Sequence, residues 1–249
     1  DRLRAILDFI YKYFPDCQMI NMDATVTSIR LKSDEELQEL YDRKVRHLYL
    51  GIESGLDDVL KFMRKEHTQD QAYKEIARIQ KVGLIFDAHV MSGVAGKGRG
   101  QENAIALAEF LNKTQPDRIV NFSLFLHNQV ALYEDIKSGA FIPADEVENM
   151  EEERTLIELL KEGPDGHQML YDGFNDFLEL RVKGKVPKDA PRMIEKLTEA
   201  IEKYKDEPPI YAYVRGDCPD LSMCDGGRWL WEMDDSKLAQ YNEKEKKLS

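Results

Sequence analysis

Segments that read as strands alternate here with segments that read as helices at a spacing of roughly 30 residues, and that rhythm leaves few folds open. Gln18 to Ile29, Arg46 to Ile52, Leu84 to Val94 and Arg118 to His127 carry the β-branched, aromatic and apolar runs of strands. Between them lie helical stretches with clear punctuation. Ser33 with Glu36 and Thr68 with Gln71 are capping-box pairs, Gly83 closes the second of these helices, and Pro116 blocks the continuation of the helix predicted from Gln101 to Lys113. Earlier, a helix from Arg2 to Tyr13 stops before Pro15, and another is expected from Leu56 to Met63. Strands separated by intervals this long need crossovers, and crossovers in one sheet are right-handed. The spacing therefore predicts a parallel sheet or barrel, although four strands do not close an eight-stranded one.

The 249 residues suffice for one α/β domain with a C-terminal extension. A net charge of −12, with cations scattered among carboxylates, makes nucleic acid an unfavourable partner. The three cysteines, Cys17, Cys218 and Cys224, are too few and too far apart for a disulfide framework, which points to reduced thiols and the cytoplasm. No apolar stretch approaches 18 residues, so no membrane span is expected. The chain opens on Asp1 and passes directly into a helical pattern, which leads us to expect a segment upstream. From Asp145 to Glu162 eight carboxylates stand against Arg154 and Lys161, and the run reads as a solvated helix face. A loop rich in Gly and Asp is expected after it, then a helix from Ala190 to Tyr204 and a short strand from Ile210 to Val214. Trp229 and Trp231 would share one side of an extended segment that docks the tail.

Chemistry is expected where the strand ending in Ile52 stops. Parallel sheets collect ligands outside the carboxyl ends of their strands, and Glu53 and Ser54 sit there between two glycines. The same residues also suit a structural task, Glu53 charging the first turn of the next helix and Ser54 capping it. The glycine-rich turn from Gly93 to Gly100 matches neither the phosphate loop, since Lys97 is followed by Gly98, nor the dinucleotide pattern. Cys218 and Cys224 read as structural thiols, Cys17 as a core thiol, and His89 as a hydrogen-bonded core histidine. No set of metal ligands is legible, and no nucleophile elbow occurs.

Gly51-Ile-Glu-Ser-Gly-Leu-Asp-Asp-Val-Leu-Lys-Phe-Met-Arg-Lys65, followed by a helix opening at Thr68, resembles the middle of radical S-adenosylmethionine (radical SAM) enzymes. The group in question includes oxygen-independent coproporphyrinogen oxidases and methylthiotransferases, and the likeness runs from about Asp23 to Tyr133, more loosely to Pro191. The resemblance implies an α/β fold, a partial (β/α) barrel over residues 1–144 that lacks its first units, and a helical and irregular extension over 145–249. It implies a full protein that cleaves SAM reductively to a 5′-deoxyadenosyl radical, using a [4Fe–4S] cluster and an external electron donor, to abstract hydrogen from a substrate of unknown identity. Glu53 would then serve the ribose or methionine end of SAM with Ser54 beside it, and Met91, Ser92 and Gly93 with Leu126 would serve the adenine. Asn21, Asp23 and Arg30 would line the same mouth. No catalytic residue is assigned.

Departures accompany the likeness, the Gly-Lys-Gly-Arg turn at 96–99 among them. The Cys-x3-Cys-x2-Cys loop that holds the cluster is absent from the sequence, so neither cluster nor activity is expected of this chain alone. His127 to Tyr133 replaces a Pro-Gly-Thr-Pro-Leu-Tyr segment, keeping Leu132 and Tyr133. The competing expectation is an accessory domain that binds a small molecule at the same strand ends and never carries a cluster. Self-association is expected through the sheet edge where the missing first units would pair.

Overall fold

The computed structural model describes residues 2–127, 129–175 and 178–214. After helix α1 (Arg2–Tyr13) the chain enters β1 (Ile20–Ala24), and Thr25 at once opens the short helix α2 (Val26–Arg30). The strand expected as far as Ile29 is therefore cut short. Val26, Thr27 and Ile29 favour extended chain, but Thr25 and Ser28 exchange side-chain and backbone hydrogen bonds in a capping box, and the local hydrogen bonds prevail. The two capping boxes expected from sequence both form. Ser33 opens α3 (Asp34–Asp42) and Thr68 opens α5 (Gln69–Lys81), beyond which Gly83 takes a positive φ of 87°.

β2 (Val45–Glu53), α4 (Asp57–Phe62), α5, β3 (Ile85–Ser92), α6 (Gly100–Thr114) and β4 (Arg118–Ser123) continue the predicted alternation. The strand expected to reach His127 breaks at Ser123. Leu126 and His127 form β5, which pairs with β8 (Tyr213–Val214) in a separate two-stranded sheet. Then come α7 (Ala131–Lys137), α8 (Glu146–Leu159), β6 (Met169–Asn175), β7 (Leu180–Val186) and α9 (Ala190–Tyr204). β1, β2, β3, β4 and β6 lie side by side in parallel, and β7 closes the order antiparallel to β6.

Alternation of side chains gives the sheet two unlike faces. Leu48, Leu50 and Ile52 of β2, Phe86, Ala88 and Val90 of β3, and Ile119 of β4 are buried in one core with Ile76, Leu107, Phe110, Leu156 and Leu197 from the helices. Residues of opposite parity, including Tyr49, His89, Val120 and Phe122, are half-buried and line a face that, among the described residues, the main core cluster does not cover. β6 and β7 were not legible as strands, because Asp172, Gly173 and Asn175 are loop-favouring residues. Their places in the sheet are secured by partners: Asp172 pairs with Arg181 and Lys183, and Asn175 bonds a buried carboxylate on α8. The apolar groups left exposed include Ile6, Phe9, Tyr13 and Phe14 on and after α1, and Met19 leading into β1.

Candidate functional site

At the carboxyl end of β2 the pairing with β3 slips by one residue between Gly51 and Glu53. Glu53 itself adopts a left-handed backbone, φ 63°, which is uncommon for a residue with a side chain and concentrates at functional positions. Its carboxylate lies on the face of Gly51, where a β-carbon would come within 2.7 Å of Oε1, and Lys65 Nζ is 2.5 Å from the same oxygen. Bulges at strand ends often re-aim a side chain.

Ser54 turns the other way and is fully buried. Its hydroxyl donates to Asn103 Oδ1 at 2.6 Å and accepts from the backbone N–H of Leu56, but Leu56 is the N-cap of α4 and no side chain caps that helix, so the capping role expected of Ser54 is not formed. Asn103, on α6, also accepts from the N–H of Gly55 and passes its own amide to Glu152 Oε1 at 2.7 Å. The other oxygen of Glu152 accepts the N–H of Gly93 at 2.9 Å. One carboxylate of α8 thus holds both strand-end loops, that of Glu53 to Gly55 and that of Ser92 to Gly93.

Glu152 is one of three acids that correct the reading of residues 145–162 as a solvated face. Glu146, Glu152 and Glu153 are 0%, 3% and 1% exposed. They are tolerated because each finds hydrogen-bond donors. Asn149 donates to Glu146, with Ser123 Oγ within reach of both Glu146 and Asn175, while Tyr171 and Asn175 donate to Glu153. Burial pushes the carboxyls of Glu146 and Glu152 up to about 7, against hydrogen bonds that favour their charged forms. Glu153 is raised for the same reason, and Tyr171 is driven well above the ordinary phenol value by burial and by that carboxylate. Ser92 belongs to this network too, through Asn121, which bonds both Ser92 and Tyr171.

The sequence offered one signal of it. Asn121, Ser123 and Asn175 fall at strand positions whose parity points into the helix-covered core, where an apolar residue is the norm.

Of the remaining expected residues, Met91 packs with Leu56, Val59, Met63, Val94 and Ala95 beside the same strand ends. Asn21 and Asp23 are exposed on β1, in register with His47 and Tyr49. Arg30 ends α2 and is exposed, and Leu126 is buried in the two-stranded sheet, its N–H donating to Ala212. Glu53, Ser54, Met91, Ser92 and Gly93 are thus gathered at the carboxyl ends of two adjacent strands, while Arg30 and Leu126 sit on other elements. A cleft of ≈ 360 Å³ opens nearby, lined by Asp58, Val59, Phe62, Val94, Arg99 and Phe141 among others, and by none of the expected nine. On the uncovered face Tyr49, His89, Phe122 and Phe174 follow one another ring to ring at 5.2–6.0 Å, with the Arg181 guanidinium 4.4 Å from the last.

Cys17 is half-buried rather than a core thiol, with Sγ 3.4 Å from the carbonyl of Met19, and Cys218, Cys224, Trp229 and Trp231 lie outside the described residues. Three cysteines so placed in sequence do not supply the three-thiolate loop of a [4Fe–4S] cluster, and the donor set of this chain does not fit one. Among the described residues no helix is long and apolar enough to cross a membrane.

No protein-family model matches the chain. It is 32% identical over 101 residues to the tRNA-2-methylthio-N(6)-dimethylallyladenosine synthase of Acinetobacter baumannii, a match covering 39% of this chain and 20% of that protein. Over 120 residues it is 24% identical to the tRNA uridine(34) acetyltransferase of Methanocaldococcus infernus, covering 48% of this chain and 22% of the relative. The chain thus spans about a fifth of the length of these curated relatives. In structure it is similar to Methanocaldococcus infernus Elp3 lacking its N-terminus, with TM-score 0.55 and 18% identity over 75% of this chain and 42% of that one. It is also similar to methylornithine synthase (PylB), with TM-score 0.50 and 12% identity over 97% and 61%. These likenesses give the fold, a partial (β/α) barrel, and the sequence resembles radical SAM enzymes. The sequence similarity runs to proteins named for tRNA modification.

Proposed function

We propose that this chain provides part of the SAM-binding wall of a cytoplasmic radical SAM enzyme, the cluster being held by cysteines outside these 249 residues. The observation that carries the reading is Glu53, a strand-end residue in a left-handed conformation with its carboxylate on the uncovered face. Its partner, Lys65, is a long side chain 36% exposed, so a ligand's ammonium or hydroxyl groups can replace it without a buried charge being stranded. SAM bound beside a cluster held outside this chain would supply the radical chemistry. The chain's own part is to bind and orient. Glu53 takes the ribose or methionine end, and the segment from Met91 to Gly93, its Gly93 N–H held by Glu152 and its Ser92 hydroxyl by Asn121, serves the adenine.

The absence of the three-cysteine loop from the sequence favours a second reading, an accessory domain that uses the same strand ends for another small molecule. The relatives' names bring tRNA in as a substrate class. For this chain the net charge of −12 argues for a small-molecule substrate, with any RNA held elsewhere in the protein.

Calorimetric titration of SAM into the cluster-bearing protein that contains this chain tests the proposal. The Glu53→Gln variant is expected to bind SAM at least about tenfold more weakly, the loss of a charge-assisted hydrogen bond, while its stability stays within about 1 kcal/mol. Unchanged affinity would remove Glu53 from the site. A cluster-free protein that binds another small molecule in a Glu53-dependent way would favour the accessory reading.

A further inference from the structure

At the opposite end of the sheet three donors converge. His47 lies near the start of β2, Asp87 near the start of β3, and Asp117 directly before β4. One ligand atom from each lies within 4.8 Å of the others. His47 Nδ1 is 2.6 Å from Asp87 Oδ2. Asp87 is fully buried, and its second oxygen, Oδ1, is out of contact with water and meets no hydrogen-bond partner among the described residues. A buried carboxylate oxygen left in that condition is costly, and proteins normally satisfy it with a donor or a cation.

We propose that His47, Asp87 and Asp117 form a divalent-cation site of the zinc type, distinct from the strand-end crevice around Glu53. One imidazole and two carboxylates make a nitrogen and oxygen donor set that suits zinc or manganese better than magnesium, which prefers an all-oxygen, largely hydrated shell. The cation takes the place of the hydrogen now shared by His47 Nδ1 and Asp87 Oδ2, and the imidazole keeps its proton on Nε2. Asp117, which is exposed, closes the third side, and a fourth position is left for water. The site joins the starts of three neighbouring strands, and a cation held by both oxygens of Asp87 also satisfies the orphaned Oδ1. His47 and Asp87 are 40 residues apart in the chain, so no ligand spacing announced them.

The chain, stripped of metal by chelation, would be titrated calorimetrically with zinc and, separately, with magnesium, and loaded with cobalt for optical spectra. A single saturable equivalent of zinc is expected, with no comparable magnesium binding and a cobalt spectrum free of thiolate-to-metal charge transfer. Asp117→Asn, a surface change that leaves the core intact, is expected to weaken zinc at least about tenfold, and His47→Gln more. The proposal is overturned if zinc does not bind saturably, if Asp117→Asn and His47→Gln bind it as tightly as the parent, or if magnesium binds equally well. A strong charge-transfer band would overturn it as well, by assigning the metal to cysteines.

Discussion

Glu152 carries more of the candidate site than any residue that touches solvent there. Both its oxygens are used, one by the Gly93 N–H and one by the Asn103 amide, and Asn103 is itself oriented by Ser54 and Gly55. An amide at this position offers only one acceptor oxygen, so Glu152→Gln sets a donor against a donor in the core. The change is expected to cost about 1–3 kcal/mol, measured as a lower urea midpoint at unchanged slope. Hydrogen exchange at Gly93 and Gly55 should quicken together in the variant. Faster exchange at only one of them would show that the two loops are held separately. Glu53 differs in kind, since its carboxylate is paired with an exposed lysine, Lys65, rather than with buried donors.

Among the elements, α8 departs furthest from what its sequence suggested. Its carboxylates resemble those of a solvated helix in composition, and only their partners on β4, β6 and α6 distinguish the buried ones. The strands were read well where they are apolar, β2 and β3 above all. β6 escaped because Tyr171 and Asn175 serve α8 and Asp172 serves β7, relations between elements that leave no local pattern. Gly173 illustrates it: a β-carbon there would overlap the Glu153 carboxylate and crowd the Tyr171 ring. Gly173→Ala is expected to destabilise by about 1–3 kcal/mol through displacement of Glu153, which a thermal melt beside a Gly98→Ala control, where a β-carbon meets open space at a positive φ of 78°, would separate from simple backbone strain.

For the whole molecule the parallel alternation, the two capping boxes and the gathering of Glu53, Ser54 and Gly93 at strand ends were legible. The unlike roles of those residues were not, since which way a side chain points at a bulge depends on pairing with the neighbouring strand. The buried acids also set the pH response. The folded state holds protons on Glu146 and Glu152 up to about 7, well above the ordinary carboxylate value, so it binds more protons than the unfolded chain across that window. Stability contributed by these groups is therefore lost as pH rises from about 4.5 to 7 and regained on acidification. Below that window the lowered carboxyls, Asp172 beside Arg181 and Asp58 beside Arg99, act in the opposite sense. Chemical denaturation between about pH 4 and 8 should place the stability maximum near pH 5, and a maximum near neutrality would mean that the acids are charged without penalty.

The single tether from α8 to both strand-end loops makes the rim of the sheet one mechanical part. A ligand that pulls the Gly93 backbone outward must also loosen Ser54, because the strain travels through Glu152 and Asn103 rather than through solvent. Occupancy at one half of the rim is therefore expected to change hydrogen exchange at the other, which exchange at Gly55 with and without ligand would check.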